Sequence, residues 1–88
     1  MEIQHDPGSR QFHVKVEGHT GVLDYGLRDG VMTITHTGVP EAIGGRGVAA
    51  ELTRVALDTA RANGWKVMPA CSYAAAFMRR HPEYTDLL

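Results

Sequence analysis

Apolar and polar residues alternate along Phe12-His13-Val14-Lys15-Val16-Glu17, the period of a half-buried strand. The period resumes over residues 22–28 and again over residues 31–37. Gly18-His19-Thr20-Gly21 ends the first of these strands, and Asp29-Gly30 marks a tight hairpin between the other two. Phe12, Val14, Val16, Leu23, Tyr25, Leu27, Met32 and Ile34 share one parity, with His36 on the same count. His13, Lys15, Glu17, Asp24, Arg28, Thr33 and Thr35 share the other, so one sheet face should pack and the other should be wet. From residue 46 to 63 the period becomes helical. Val48, Leu52, Val55, Ala56 and Thr59 form one stripe, and Glu51, Arg54, Asp58 and Arg61 lie off it. Asn63-Gly64 is the stop signal. Residues 65–70 read as a short fourth strand, and Ser72 as the N-cap of a second helix over residues 73–80 that ends at His81-Pro82.

The expected fold is α/β (α+β) and compact: a three-stranded antiparallel meander, a helix, a strand parallel to the third, and a helix. Residues 1–88 are expected to make one domain, with 1–10 and 85–88 loosely ordered. The strand, helix and parallel strand form a right-handed crossover, and ligands enter such sheets where a strand's C-terminal end meets the following loop.

At that place stands Val39-Pro40-Glu41-Ala42-Ile43-Gly44-Gly45-Arg46-Gly47-Val48-Ala49. Glycines bring backbone close to a ligand, and the helix behind them leaves its first N–H groups unpaired at the positive end of its dipole, an arrangement suited to an anion such as a pyrophosphate. The glycines equally suit a plain tight turn from strand to helix. Gly45-Arg46-Gly47-Val48-Ala49-Ala50 fits the dinucleotide pattern G-x-G-x-x-A, yet Trp65-Lys66 stands where a ribose-binding acid should lie. A P-loop would need Gly-Lys before Ser or Thr, and the chain has Gly47-Val48-Ala49.

Charge narrows the partners. Nine Lys and Arg against ten Asp and Glu give a formal charge of −1, which provides no general reason to expect nucleic acid or an acidic membrane. Cys71 is alone, which argues for a reducing, cytoplasmic setting. The N-terminus lacks the blocks of a signal peptide, and no apolar run is long enough to span a bilayer. The five histidines show no metal-ligand spacing, and no metal is expected.

His36-Thr37-Gly38-Val39-Pro40 followed by Gly45-Arg46-Gly47-Val48-Ala49, with Leu52 and Ala56-Leu57 behind, resembles the central motif of the Gcn5-related N-acetyltransferases. Lys66-Val67-Met68-Pro69-Ala70-Cys71-Ser72-Tyr73 and His81-Pro82-Glu83-Tyr84 resemble the small single-domain YjdJ-type branch. The resemblance covers residues 12 to 88. It implies acetyl-CoA as co-substrate and transfer of an acetyl group to a small-molecule or peptide amine, by a monomer or weak homodimer. It also implies that Gly44, Gly45, Arg46, Gly47, Val48 and Ala49 hold the pyrophosphate. Thr37, Gly38 and Val39 would flank the thioester, near a bulge that frees an N–H for its oxygen. Larger relatives carry Gln or Arg where this chain has Ala42, so one phosphate contact is absent or supplied by Arg46. Arg46 also reads as a solvated first-turn residue.

Four residues are candidates for the chemistry. His36 reads as a core histidine or a proton-transfer group, and Glu41 as a base for the amine or an exposed turn carboxylate. Tyr73 reads as the acid for the departing thiolate or as one of a core stripe with Ala76 and Phe77. Cys71 would sit at a helix N-terminus that favours a thiolate, as a transient acyl acceptor; the alternatives are direct attack by the amine and a buried packing cysteine. A second function class also fits so small a domain, a CoA or acyl-CoA sensor without turnover.

Overall fold

The computed structural model describes residues 1–88 as one mixed sheet in the order β1-β2-β3-β4-β5. The strands are β1 (Gln4–Asp6), β2 (Gln11–Val16), β3 (His19–Arg28), β4 (Val31–Gly38) and β5 (Lys66–Pro69). The helices α1 (Val48–Asn63) and α2 (Ser72–Arg80) follow β4 and β5, and short 3-10 helices cover Glu41–Ile43 and Pro82–Leu87. β1 to β4 are antiparallel neighbours, and β5 runs parallel to β4. The meander, crossover helix, parallel strand and final helix thus stand in the expected order. Two-residue loops close the β2–β3 and β3–β4 hairpins, with positive φ at Glu17 and Gly18 and at Asp29 and Gly30, the backbone that matches strand twist.

The apolar parity builds the core. Phe12, Val14, Leu23, Tyr25, Met32 and Ile34 are buried beneath the helices, and each large aliphatic residue taken from water adds roughly 1.5–3 kcal/mol. The helical stripe is rotated from the expected one. α1 buries Val48, Leu52, Thr53, Ala56, Leu57 and Ala60, whereas Val55 and Thr59 are half-buried at its border. Thr53 tolerates burial because its hydroxyl donates to the Ala49 carbonyl at 2.8 Å. The helix also begins at Val48 rather than residue 46, since Gly45 and Gly47 both hold φ of 76°.

Both chain ends carry elements where loose order was expected. β1 is entirely polar, Gln-His-Asp, so no periodicity marks it, and ladder bonds to β2 and the His5 side chain define it. His5 lies flat on Phe12, ring centroids 4.1 Å apart, with Nε2 2.7 Å from the Tyr25 hydroxyl. At the other end Tyr84 and Leu87 are buried. Arg61 donates to the Glu83 carbonyl at 2.8 Å and to Asp86 Oδ1 at 2.7 Å.

Burial holds the His5 imidazole below its ordinary 6.5, with the Asp6 charge acting the other way. A group with a depressed folded pKa stabilises most when pH is above its unfolded value and loses that contribution as pH falls. Stability should therefore decline on acidification from about 6.5, and His5→Ala should flatten that slope. Denaturation midpoints at pH 7.5 and 5 check this; a slope unchanged by the substitution would contradict it.

Candidate functional site

One residue of β4 sets the geometry. β3 pairs with β4 as Tyr25↔Ile34 and then Asp24↔His36, so Thr35 is an extra, unopposed residue, a bulge that reverses which face later side chains take. Thr37 now lies opposite buried Leu23 and turns inward, while His36 lies opposite Asp24 and is exposed. The core reading of His36 is corrected here, because the inserted residue breaks the period of two after Ile34. Its ring passes over Gly38, where a Cβ would come within 2.8 Å of Nε2.

β5 leaves β4 at the same level. Their register ends at Ile34↔Pro69, and the Ile34 carbonyl accepts both the Ala70 and Cys71 N–H groups at 3.0 Å. From Thr35 to Gly38 no strand lies on that side of β4. Cys71, not Ser72, becomes the N-cap of α2, since its backbone is extended (φ −91°, ψ 148°) and its Sγ accepts the Ala74 N–H at 3.4 Å. Thr37 Oγ1 lies 3.6 Å from Sγ across the opening.

Beyond β4 the chain turns through Glu41–Ile43, pinned by fully buried Ile43, and reaches the glycine loop. Gly47 is the N-cap of α1 in left-handed conformation, and no side chain caps the helix. The Glu51 N–H makes the first intrahelical bond, to the Gly47 carbonyl, so the N–H groups of Val48, Ala49 and Ala50 have no helical partner. Gly21 fixes the helix start: a Cβ there would lie 2.9 Å from Val48 Cγ1, so only glycine lets α1 settle this close to β3.

The loop walls a groove of about 260 Å³, lined by Val39, Ile43, Gly44, Gly45, Gly47, Val48, Ala49, Ala50 and Tyr73. Six residues expected to bind cofactor, Val39, Gly44, Gly45, Gly47, Val48 and Ala49, thus meet one expected catalytic residue, Tyr73. Tyr73 is 37% exposed and is not the core residue of the stripe reading. Phe77 alone of that trio is buried. Thr37 and Cys71 form a second pair outside this lining, with Gly38 opposite Val22. Glu41 is exposed in its turn, and His36 projects from the uncovered sheet face, so neither lines the groove. Ile43 and Ala50 went unrecognised, although Ala50 is visible as a first-turn residue of the helix.

Arg46 does not line the groove either. Its Nη1 donates to Glu17 Oε2 on the β2–β3 hairpin. That hydrogen bond, then the guanidinium charge, hold the Glu17 carboxyl below its ordinary value, and Glu17 raises Arg46 by the same causes. Both partners are well exposed, so the pair adds little stability, but it links the glycine loop to the β2–β3 hairpin. A cavity of about 360 Å³ lined by Pro69, Ala75, Met78, Arg79, Pro82, Thr85 and Leu88 lies on the opposite face of α2, far from these groups in chemistry. No three His, Cys, Asp or Glu side chains cluster to hold a metal, and no helix is long and apolar enough to cross a membrane.

A mixed sheet whose fourth and fifth strands part beside an uncapped, glycine-led helix defines the class, a compact α+β fold. Residues 11–87 match the model of the GCN5-related N-acetyl-transferase family, and the chain belongs to that family. Protein NATD1 of Homo sapiens is 33% identical over 87 residues, covering 93% of this chain and 75% of the relative. Protein NATD1 of Danio rerio is 31% identical over 91 residues, covering 98% and 83%. The NMR solution structure of a GCN5-like protein from Staphylococcus aureus superposes with a TM-score of 0.77 at 28% identity, covering 98% of this chain and 85% of that one.

Capping and packing at Cys71 separate by substitution. Cys71→Ser keeps a cap acceptor and should stay within ~0.5 kcal/mol of the parent, whereas Cys71→Ala should lose about 1 kcal/mol. Urea titration reads the difference, and equal stability of the two variants would show that the Sγ contact to Ala74 does not cap α2.

Proposed function

We propose that the protein is an acetyl-CoA-dependent N-acetyltransferase of the small YjdJ type, cytoplasmic, acting on a small-molecule or peptide amine as a monomer or weak homodimer. The observation that carries this reading is the groove of unpaired N–H groups at the start of α1, adjoining a β4 edge without a strand beside it. The N–H groups of residues 47–50 would take the pyrophosphate. Arg46 would add charge, turning from Glu17 to the phosphates. The open edge from Thr35 to Gly38 would pair with the amides of the pantetheine arm, as an added strand would.

The co-substrate supplies an activated acetyl carbonyl. An amine arriving from the uncovered sheet face would meet His36 there, with Glu41 on the turn beyond, and either would take the proton that the attacking nitrogen must lose. Attack forms the C–N bond and breaks the C–S bond. Tyr73, on the helix side, would protonate the departing thiolate. In the covalent alternative Cys71 accepts the acetyl group first and passes it to the amine. Its Sγ already serves Ala74 as a cap, which favours the direct route.

A second reading, binding without turnover, has one observation in its favour: all three cavities are lined by helix-side and loop residues, and none opens on the sheet face where an amine would sit. Thiol release from acetyl-CoA with polyamines, amino-acid amides and lysine peptides separates the two. Tight CoA binding without release from any acceptor would select the sensor.

Gly47→Glu should bind CoA at least tenfold more weakly than Gly47→Ala, about 1.4 kcal/mol. Both variants share the strained positive φ, and only one adds an anion at the cradle. Calorimetry that finds the two equal would remove the loop from the site. For the covalent route, full turnover by Cys71→Ala, or no acetyl adduct in intact mass, would eliminate the thiol as acceptor.

A further inference from the structure

One cross-strand row of the uncovered sheet face ends at His36. Register places Asp6 opposite Gln11, Gln11 opposite Asp24, and Asp24 opposite His36, so the four side chains share that face. Gln11 Nε2 donates to Asp24 Oδ1 at 2.9 Å, and no donor of the chain reaches Oδ2.

Asp24 stands apart from the other acids. Eight of the ten Asp and Glu are exposed, and water solvates them. The two half-buried ones are Glu51, which binds Arg54, and Asp24, which takes part in none of the five ion pairs. A carboxylate partly withdrawn from water is costly without a cation, and the fold supplies none. Lys15 stands two rows away, opposite Thr20; Arg28 faces Asp29; Lys66 donates to the Asp86 carbonyl. The bond from Gln11 does not account for the charge, since a neutral Asn would accept it equally.

We infer that Asp24 selects the acceptor: it binds the second ammonium of a dicationic alkylamine whose other end reacts beside His36. The inference rests on the N-acetyltransferase reading and deepens it by naming the acceptor class. The His36 ring lies over Gly38, where a Cβ would come within 2.8 Å of Nε2, so Nε2 sits on the diagonal from Asp24. Diagonal positions on facing strands stand about 7–8 Å apart, the reach of a diamine with four or five methylenes between its nitrogens. One nitrogen gives its proton to His36 and attacks, while the other stays charged and donates to Oδ2. No cavity opens on this face, so an acceptor there is held by charge.

Thiol release from acetyl-CoA with putrescine and with butylamine tests this, in the parent, Asp24→Asn and Asp6→Asn, each with its melting temperature. The parent should use putrescine about tenfold better in kcat/KM, mainly through KM, well beyond the statistical advantage of its equal ends. Asp24→Asn should bring putrescine down to the butylamine level, and Asp6→Asn, at the far end of the row, should keep the preference. If Asp24→Asn fails to fold, the carboxyl carbon shift of Asp24 in the parent bound to CoA replaces it; putrescine should move that shift and butylamine should not. Equal use of the two amines by the parent, a preference that survives Asp24→Asn or falls as far in Asp6→Asn, or an unmoved carboxyl shift would overturn the assignment and leave acetyl transfer standing. So would transfer to lysine peptides with neither alkylamine used. No thiol release with any acceptor would instead overturn the acetyltransferase reading and the role of Asp24 with it.

Discussion

The extra residue at Thr35 is the constraint on which the site depends. Up to Ile34, β4 is an ordinary central strand, paired on both sides and alternating inward and outward. One unopposed residue later, Thr37 has turned toward the core, His36 has turned to the open face, and β5 has no register left to follow. The Thr35 hydroxyl donates to the Asp24 carbonyl at 3.3 Å, which gives the bulged backbone a local partner. A regular β4 would carry β5 alongside to its end and leave no uncovered edge from Thr35 to Gly38. It would also point His36 into an apolar layer, where an imidazole without a partner is costly.

The opening has electrostatic character from backbone as much as from side chains. The cradle at α1 is made of N–H groups that the fold leaves free, because Gly47 has no side chain to cap them and Gly21 seats Val48 where no other residue would allow. Arg46 of the glycine loop is held by Glu17, so the hairpin that begins β3 is tied to the loop that begins α1. The GCN5-like Staphylococcus aureus structure superposes on this fold over 98% of the chain.

Much of this was legible in the chain. Alternation marked β2, β3 and β4, Asp29-Gly30 marked a hairpin, and the glycine loop stood between a strand and a helix as its spacing implied. The bulge was expected from the resemblance alone and not from the residue pattern, because a phase shift after Ile34 leaves no compositional trace in Thr35-His36-Thr37. β1 was invisible for the opposite reason: Gln4-His5-Asp6 has no apolar member, and ladder bonds with a stacked His5 define it. The α1 face was misjudged by a rotation because Thr53, which satisfies its own hydroxyl on Ala49, reads as surface. The cap of α2 fell on Cys71 instead of Ser72 because the Ile34 carbonyl holds residue 71 extended, a tertiary contact no local pattern records.

The central claim is that an acyl-CoA lies between the Thr35–Gly38 side of β4 and the glycine loop. Amide chemical shifts of the labelled protein titrated with acetyl-CoA test it most directly. The account predicts the largest changes at residues 44–50, with a second set at 37–39 and 71–73, the two flanks of the same opening. Changes confined to residues 82–88 and their cavity beside Met78, or no changes at millimolar ligand, would contradict it.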